Sequence, residues 1–177
     1  MGSIRLPQAC CFALALFALA ACSPTSAPPS PPGNLRTTPA AGDMVAQVRA
    51  AGNSVDALDV KPLRDPQVED LRMRASRLEA VGDYAGATQA IVQALALTPN
   101  DPELLQNAAE LALYRKDWTQ AEANANRSYQ LGPKLGSLCR RNWTTIRFTR
   151  TARGDAAGAA EAATKVVACT VEPPVRM

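Results

Sequence analysis

The sequence predicts an all-α domain built as a short stack of about three helical hairpins. About a fifth of the residues are alanine and only 5% are aromatic, a composition that favours closely packed helices over a sheet. A regular period along the chain relates the segment Gly82-Asp83-Tyr84 to Lys116-Asp117-Trp118. Because one hairpin cannot bury its own apolar face, we expect consecutive hairpins to stack on one another.

The first two hairpins span residues 68–101 and 102–135. Asp65-Pro66 and Asp101-Pro102 each place a capping carboxylate before a proline at the first helical position. Small side chains let the two helices of a hairpin approach closely, and an aromatic residue after the turn fills the remaining gap. Besides Tyr84 and Trp118, three further pairs of similar residues follow the same period: Ala75 and Ala109, Ala87 and Ala121, and Pro99 and Pro133.

A third hairpin follows with a change in length. It begins at Gly136, but its turn, Gly154-Asp155-Ala156, comes four residues later than the period requires. Four residues are about one helical turn. The sequence therefore predicts a longer first helix over residues 137–152 and a second helix over residues 155–169.

The pattern over residues 68–170 resembles the tetratricopeptide repeat (TPR) family, whose repeat is about 34 residues long. Repeats one and two carry the family's small residues, aromatic residue and proline, whereas Ala156 replaces the aromatic in repeat three. The resemblance implies a right-handed superhelical stack whose first helices line a concave groove for a protein or peptide. Residues 171–177 would form a C-terminal tail.

Two cysteines predict a covalent link within the third hairpin. Cys139 lies fifteen residues before Gly154 and Cys169 lies fifteen after it. Equal distances from the turn place two residues at the same level of an antiparallel hairpin. We expect a Cys139–Cys169 disulfide in an oxidising periplasm; the alternative is two buried, free cysteines.

The N-terminal segment, residues 1–21, is predicted to be a targeting signal. One positive charge precedes an apolar run of eleven residues, 11–21, which is too short to span a bilayer and is typical of a secretory signal peptide. Leu19-Ala20-Ala21-Cys22 resembles the lipobox of bacterial lipoproteins. The resemblance implies cleavage before Cys22 and acylation of that cysteine, palmitate included. An ordinary signal peptide is the alternative.

The resemblance to lipoproteins also implies a location. The residue after the cysteine is Ser23 and not aspartate, which favours the periplasmic face of the outer membrane. Residues 22–42, with six prolines, predict an extended tether. Residues 43–67 are interpreted as an irregular lead-in packed on the first repeat, in which Asp43 could cap a short helix ending at Gly52-Asn53.

The TPR resemblance implies which side chains face the groove. Those of repeat one are Glu69, Arg72, Ser76 and Glu79. Those of repeats two and three are Glu103, Gln106, Glu110, Leu113, Ser137, Arg140, Thr144 and Arg147. The candidate ligand-binding residues are Arg72, Asn107, Arg140, Arg141 and Arg147.

Some family members bind peptide C-termini with a carboxylate clamp. Arg72, Asn107 and Arg141 stand at clamp positions here. Ser76 and Ser137 depart from the clamp, which puts it in doubt.

The third repeat is basic. Its cationic residues, with no acid among them, are Lys134, Arg140, Arg141, Arg147, Arg150 and Arg153. An arginine guanidinium can donate two parallel hydrogen bonds to a carboxylate or a phosphate. With these arginines in repeat three, the groove would be acidic toward repeats one and two and basic toward repeat three. Alternatively, these arginines form a solvated face or pair with acids from elsewhere.

Composition limits the function. The chain has no histidine, which excludes Ser-His and Cys-His nucleophile pairs and His-based zinc sites. The balance of 19 basic to 16 acidic residues is too mild to indicate nucleic acid as a partner. We expect no enzyme activity, no cofactor and no metal site.

The sequence therefore predicts a lipid-anchored periplasmic scaffold that binds a protein or peptide in cell-envelope assembly. The settings left open are pilus or secretion assembly, outer-membrane protein assembly and cell-wall maintenance. The alternative is an accessory protein that binds an anionic envelope glycan or small ligand through the basic third repeat. A stack of three repeats can also form a homodimer through an uncapped end.

Overall fold

A computed structural model describes residues 39–53 and 63–170, which contain α-helices and no strands. The helices are α1 (Ala41–Gly52), α2 (Pro66–Ala80), α3 (Tyr84–Leu97), α4 (Pro102–Tyr114), α5 (Trp118–Leu131), α6 (Gly136–Ala152) and α7 (Ala156–Ala168). All described residues belong to one compact unit, Thr37–Met177. The predicted all-α class is confirmed. The signal peptide, Cys22, the tether up to residue 38 and the tail over residues 171–177 lie outside the described residues.

Helices α2 to α7 form three consecutive hairpins with the same turn. The residue before each capping aspartate has a positive φ: Gly82 (79°), Lys116 (58°) and Gly154 (78°). Asp83, Asp117 and Asp155 then each accept a hydrogen bond from the backbone N–H three residues later, at 2.8 to 3.1 Å. This recurrence shows that the period in the sequence corresponds to a repeated unit of structure.

The first helices of repeats one and two begin as predicted. The Asp65 carboxylate accepts from the Gln67 N–H at 2.8 Å, and Asp101 accepts from the Glu103 N–H at 2.9 Å. In both cases the proline at the first helical position needs no hydrogen-bond partner for its nitrogen. Each cap satisfies a backbone donor that the helix itself cannot.

The third hairpin has a longer first helix and a covalent link. Helix α6 begins at Gly136, which is one period after the start of α4 at Pro102, and runs to Ala152, one turn further than its counterpart. Cys139 and Cys169 form the predicted disulfide, with Cα atoms 5.6 Å apart. The Gly136 N–H also donates to the Cys169 carbonyl at 2.7 Å. Two links therefore hold the end of α7 to the start of α6.

Aromatic residues join neighbouring repeats in equivalent positions. Tyr84, the first residue of α3, stacks on Tyr114 at the end of α4, with ring centroids 4.2 Å apart. Trp118, the first residue of α5, packs on a core cluster that contains Phe148, the residue equivalent to Tyr114 in the next repeat. The aromatic after each of the first two turns thus packs at the junction with the next repeat.

The lead-in contains the short helix that the sequence allowed, which ends at Gly52 beside Asn53, but its start and its packing differ from the prediction. Residues 54–62 of the predicted lead-in lie outside the described residues. Residues 43–52 belong to the regular helix α1, which starts at Ala41 and ends at Gly52. Asp43 is not its cap, because the helix starts two residues earlier, after Ala40. Helix α1 packs mainly on α6 and α4, in repeats three and two, and reaches the first repeat through the Arg49–Glu79 ion pair.

The direction of α1 follows from its two terminal glycines. Gly42 lies beside Tyr114 at the end of α4, whereas Gly52 lies beside Ser137 and Arg141 at the start of α6. Helix α1 therefore runs antiparallel to both. A Cβ at Gly52 would lie 2.8 Å from the Arg141 Cδ, so glycine permits this close approach. Within the described ranges, no helix is long and apolar enough to cross a membrane.

Candidate functional site

Helix α1 covers the groove of repeats two and three. Its apolar residues Met44, Val45 and Val48 are buried in one cluster with Leu113 and Phe148. The groove residues that α1 encloses are themselves buried: Gln106, Glu110, Leu113, Arg140 and Thr144. Five of the eight groove positions that the sequence assigned in repeats two and three are therefore interior, because the chain fills this part of the groove with its own helix.

A buried carboxylate fastens α1 to the groove. The Glu110 side chain has no exposed surface. It accepts hydrogen bonds from Arg49 Nε at 2.8 Å, Arg141 Nε at 2.9 Å and Gln106 Nε2 at 3.0 Å. A buried carboxylate needs such partners to offset the loss of water. Three helices, α1, α4 and α6, meet at this single group.

Arg49 bridges two repeats. Besides Glu110, its guanidinium contacts the Glu79 carboxylate on α2 at 2.7 Å. Burial alone lowers the pKa of Arg49, but the hydrogen bonds and charges of Glu79 and Glu110 outweigh burial and raise the pKa overall. Arg49 therefore stays charged and joins α1 to the first helices of repeats one and two.

An open cleft remains beside the end of α1. It has a volume of about 530 Å³ and lies among α1, α2, α4 and the start of α6. The three clamp-like residues predicted from the sequence, Arg72, Asn107 and Arg141, all line it. Ser76 and Ser137, which depart from the clamp pattern, line it too. The wall also includes Met73, Ile91 and Leu111, which give it an apolar part.

The cations in this cleft already have partners. Arg72 Nε contacts Glu69 at 3.1 Å, and its Nη1 lies 3.9 Å from Glu103. Arg141 is held by Glu110 and also donates to the Asn107 Oδ1 at 3.3 Å. The cleft therefore offers paired charges of both signs and not the unopposed cations of a carboxylate clamp.

The cations of the third repeat are mostly engaged within the protein. Arg150 and Arg153 both pair with Glu122 on α5, and Lys134 donates to the carbonyls of Tyr129 and Gln130. The predicted alternative, in which these cations pair with acids from elsewhere, describes Arg150 and Arg153. The third repeat is not an open cationic surface along its length.

The two remaining candidates lie on the other side of α1 from the cleft's arginines. Arg140 is only 6% exposed, and its Nε donates to the Ala51 carbonyl at the end of α1 at 2.8 Å. Arg147 lines a second, smaller cleft formed with α1 and α7. The five predicted ligand residues therefore do not form one site. Arg72, Asn107 and Arg141 line the first cleft, Arg147 lines the second, and Arg140 lines neither.

Sequence reasoning missed the contribution of α1. Arg49 was not among the candidates, although it provides the link between α1 and Glu110. A signal was present: Met44, Val45 and Val48 form an apolar face, and Leu113 is an apolar residue at a predicted groove position. Among the residues with described structure, no three potential metal ligands cluster together.

Comparison with known proteins identifies a similar fold. No family model matches the chain, and no curated protein matches it. The chain is similar to the solved structure of the globular C-terminal domain of P. aeruginosa LpoP, with 28% sequence identity and a TM-score of 0.56. The match covers 59% of this chain and 99% of that one. The likeness supports the helical, repeat-like fold.

Proposed function

We propose that this chain is a lipid-anchored, non-enzymatic scaffold of the TPR class that binds a protein partner in cell-envelope assembly. The period of the sequence supports the class, since its turns, caps and aromatic junctions recur in the structure. Cys22 and the proline-rich tether support an anchor at the periplasmic face of the outer membrane. The likeness to the LpoP domain supports the helical, repeat-like fold on which this proposal rests.

The observation that carries this proposal is the open cleft beside α1. Binding sites are concave, with an apolar part and a few placed polar groups. At about 530 Å³, lined by Met73, Ile91, Arg72 and Asn107, this cleft has that composition. Because α1 fills the groove over repeats two and three, the partner would enter over repeat one.

The paired charges in the cleft specify the kind of peptide. On helix α2, Arg72 can donate hydrogen bonds to a ligand and Glu79 can accept them. Met73, which lies between them, is 44% exposed. A segment with an apolar side chain flanked by polar groups fits this wall better than a strongly acidic one. Binding of such a segment is expected to depend only modestly on salt, because few net charges are neutralised.

Site-specific crosslinking in the native envelope tests the proposal. A photoreactive amino acid at Met73, in the cleft, should capture a discrete protein that is then identified by mass spectrometry. The matched control is Gln93, an exposed residue on α3 that does not line the cleft. It should capture that protein much less.

Equal capture at both positions, or capture of lipid alone from Met73, would reject the cleft as the binding surface. Capture of a second copy of this chain from Met73 would indicate a homodimer and would also reject the proposed partner. A hydrolytic or transfer activity in the purified chain would contradict the non-enzymatic role.

A further inference from the structure

The second cleft lies at the free end of the repeat stack. It has a volume of about 370 Å³ and is formed by α1, α6 and α7. Its wall consists of Gln47, Ala50, Ala51, Thr144, Arg147, Ala163 and Val166. It shares no lining residue with the cleft beside α2. Among the described residues, no carboxylate belongs to its wall.

Arg147 is a cation in this cleft that forms no ion pair with the acids of the described residues. Its Nε is buried and has no hydrogen-bond acceptor among the described residues. Its guanidinium carbon lies 4.7 Å from the centre of the Phe148 ring. Phe148 is itself buried against α1. The ring therefore supports the guanidinium and limits its movement, while the hydrogen-bonding edge lacks an acceptor.

A second unused donor lies on the same face of α6. Arg140, two turns before Arg147, donates through Nε to Ala51, but its buried Nη2 has no acceptor among the described residues. Arg140 does not line the cleft, whereas Arg147 does. Buried donors in proteins almost always have acceptors, so the unused Nε of Arg147 indicates that an acceptor is missing at this wall. The nearest acid on α1, Asp43, is exposed one turn before Gln47 and forms no ion pair with Arg147.

From this arrangement we propose that the second cleft binds a peptide C-terminus: a carboxylate next to a small apolar side chain. The guanidinium of Arg147 can donate two parallel hydrogen bonds to the two oxygens of a carboxylate. Thr144 and Gln47 can donate further hydrogen bonds. Ala50, Ala51, Ala163 and Val166 leave room for a methyl-sized side chain.

The charge of the site selects a carboxylate over a phosphate. Arg147 is the cation in the wall, and one guanidinium neutralises a single negative charge. A phosphate would bring more than one negative charge into a cleft whose other lining residues are neutral. This site goes beyond the proposed scaffold role, because it lies on another helix pair and needs no partner in the cleft beside α2.

Binding of a matched pair of small probes tests the site. The probes are N-acetyl-alanyl-alanine and its C-terminal amide, titrated into the full mature chain and followed by NMR shifts of the backbone amides. The acid should shift the amides near Thr144, Arg147 and Ala163, and the amide should bind at least tenfold more weakly. Inorganic phosphate, titrated separately, should bind more weakly than the acid.

Three variants locate the interaction. Arg147→Gln should weaken binding of the acid at least tenfold, because it removes the charged fork. Asp43→Asn should change the affinity only slightly, because Asp43 neither lines the cleft nor pairs with Arg147. Arg74→Gln, at an exposed arginine on α2, should leave the affinity unchanged.

Equal binding of acid and amide to the unmodified chain would overturn the proposal, and this comparison does not depend on any variant folding. Unchanged binding in Arg147→Gln would overturn it as well. Stronger binding of phosphate than of the acid would assign the cleft to another ligand. Since Arg147 is absent from the cleft beside α2, Arg147→Gln should leave crosslinking from Met73 intact, and the two proposals can therefore fail separately.

Discussion

Arg49 and Glu110 lie 61 residues apart in the chain, and Arg49 Nε donates to the Glu110 carboxylate at 2.8 Å across the groove. Glu110 also holds Arg141, so one buried carboxylate connects α1 with the first helices of repeats two and three. This relationship explains why α1 stays in the groove and why its removal should affect the whole domain.

Replacing Glu110 by glutamine should destabilise the domain by about 2–3 kcal/mol. The amide keeps the shape of the side chain but removes the negative charge that two guanidinium groups share. It also replaces one of the two acceptor oxygens by an NH2 donor, so one guanidinium loses its acceptor. Urea unfolding followed by circular dichroism gives the free energy.

A matched control is Glu69→Gln. Glu69 is 40% exposed and pairs with Arg72 one turn away on the same helix, so its loss should cost less than about 0.5 kcal/mol. Equal losses in the two variants would show that the Glu110 cluster does not stabilise the fold more than a surface ion pair.

Truncating Met44 to alanine should cost about 2–4 kcal/mol. Met44 is almost fully buried between α1 and the cluster containing Phe148, and its loss leaves a cavity as well as less buried apolar surface. Met73→Ala makes the same chemical change at an exposed site and should cost less than about 0.5 kcal/mol. Thermal unfolding of both variants under identical conditions makes the comparison. A small loss for Met44 would contradict the packing of α1 in the groove.

Reduction of the Cys139–Cys169 disulfide should lower the free energy of unfolding by about 3–4 kcal/mol, because the bond closes a loop with a sequence separation of 30 residues. Unfolding curves with and without a reductant measure the change. The double variant Cys139→Ser, Cys169→Ser should show a similar loss and no further response to reductant. If Cys139 and Cys169 both reacted as free thiols in unreduced, denatured protein, the bond would be disproved.

The domain should lose stability above about pH 10 in a way that depends on Tyr114. Burial, with a contribution from the Glu79 carboxylate, raises the pKa of Tyr114 above its ordinary value of 10.0. Below pH 10 the phenol is neutral in both states, so its contribution to stability is fully present. As the pH rises through the raised pKa, the unfolded chain releases the proton more readily and unfolding is favoured.

Comparing unfolding free energies at about pH 8 and about pH 11 checks this. Tyr114→Phe should lose less stability between the two values than the unmodified chain, because phenylalanine keeps the ring stacked on Tyr84 and has no proton to release. An identical loss in both proteins would assign the pH dependence to other groups.

The sequence determined the hairpins because their signals are local and periodic. Asp83 and Asp117 cap the helices that begin at the next residue by accepting from the N–H three residues later. Such local contacts repeat at a constant spacing and need no knowledge of tertiary structure. The disulfide was predictable for a similar reason, since positions equidistant from the turn at Gly154 come to the same level. The extra turn of α6 followed from counting residues.

The groove could not be predicted in the same way. The family pattern assigned Gln106, Glu110 and Arg140 to a ligand surface, but their burial depends on α1, which lies outside the repeats. Contacts such as that between Arg140 and Ala51 join residues 89 positions apart and leave no periodic trace. The apolar face of α1 was visible, but the sequence did not specify which of three repeats would cover it.

The position of α1 also suggests an order of events during folding. Helix α1 comes first among the described helices, yet one of its anchors, Arg140, follows Ala51 by 89 residues. The hairpins can nucleate from local contacts, whereas docking of α1 needs α4 and α6 already in place. Closing of the groove by α1 is therefore expected to be a late step, and until then the apolar side chains of α1 are exposed.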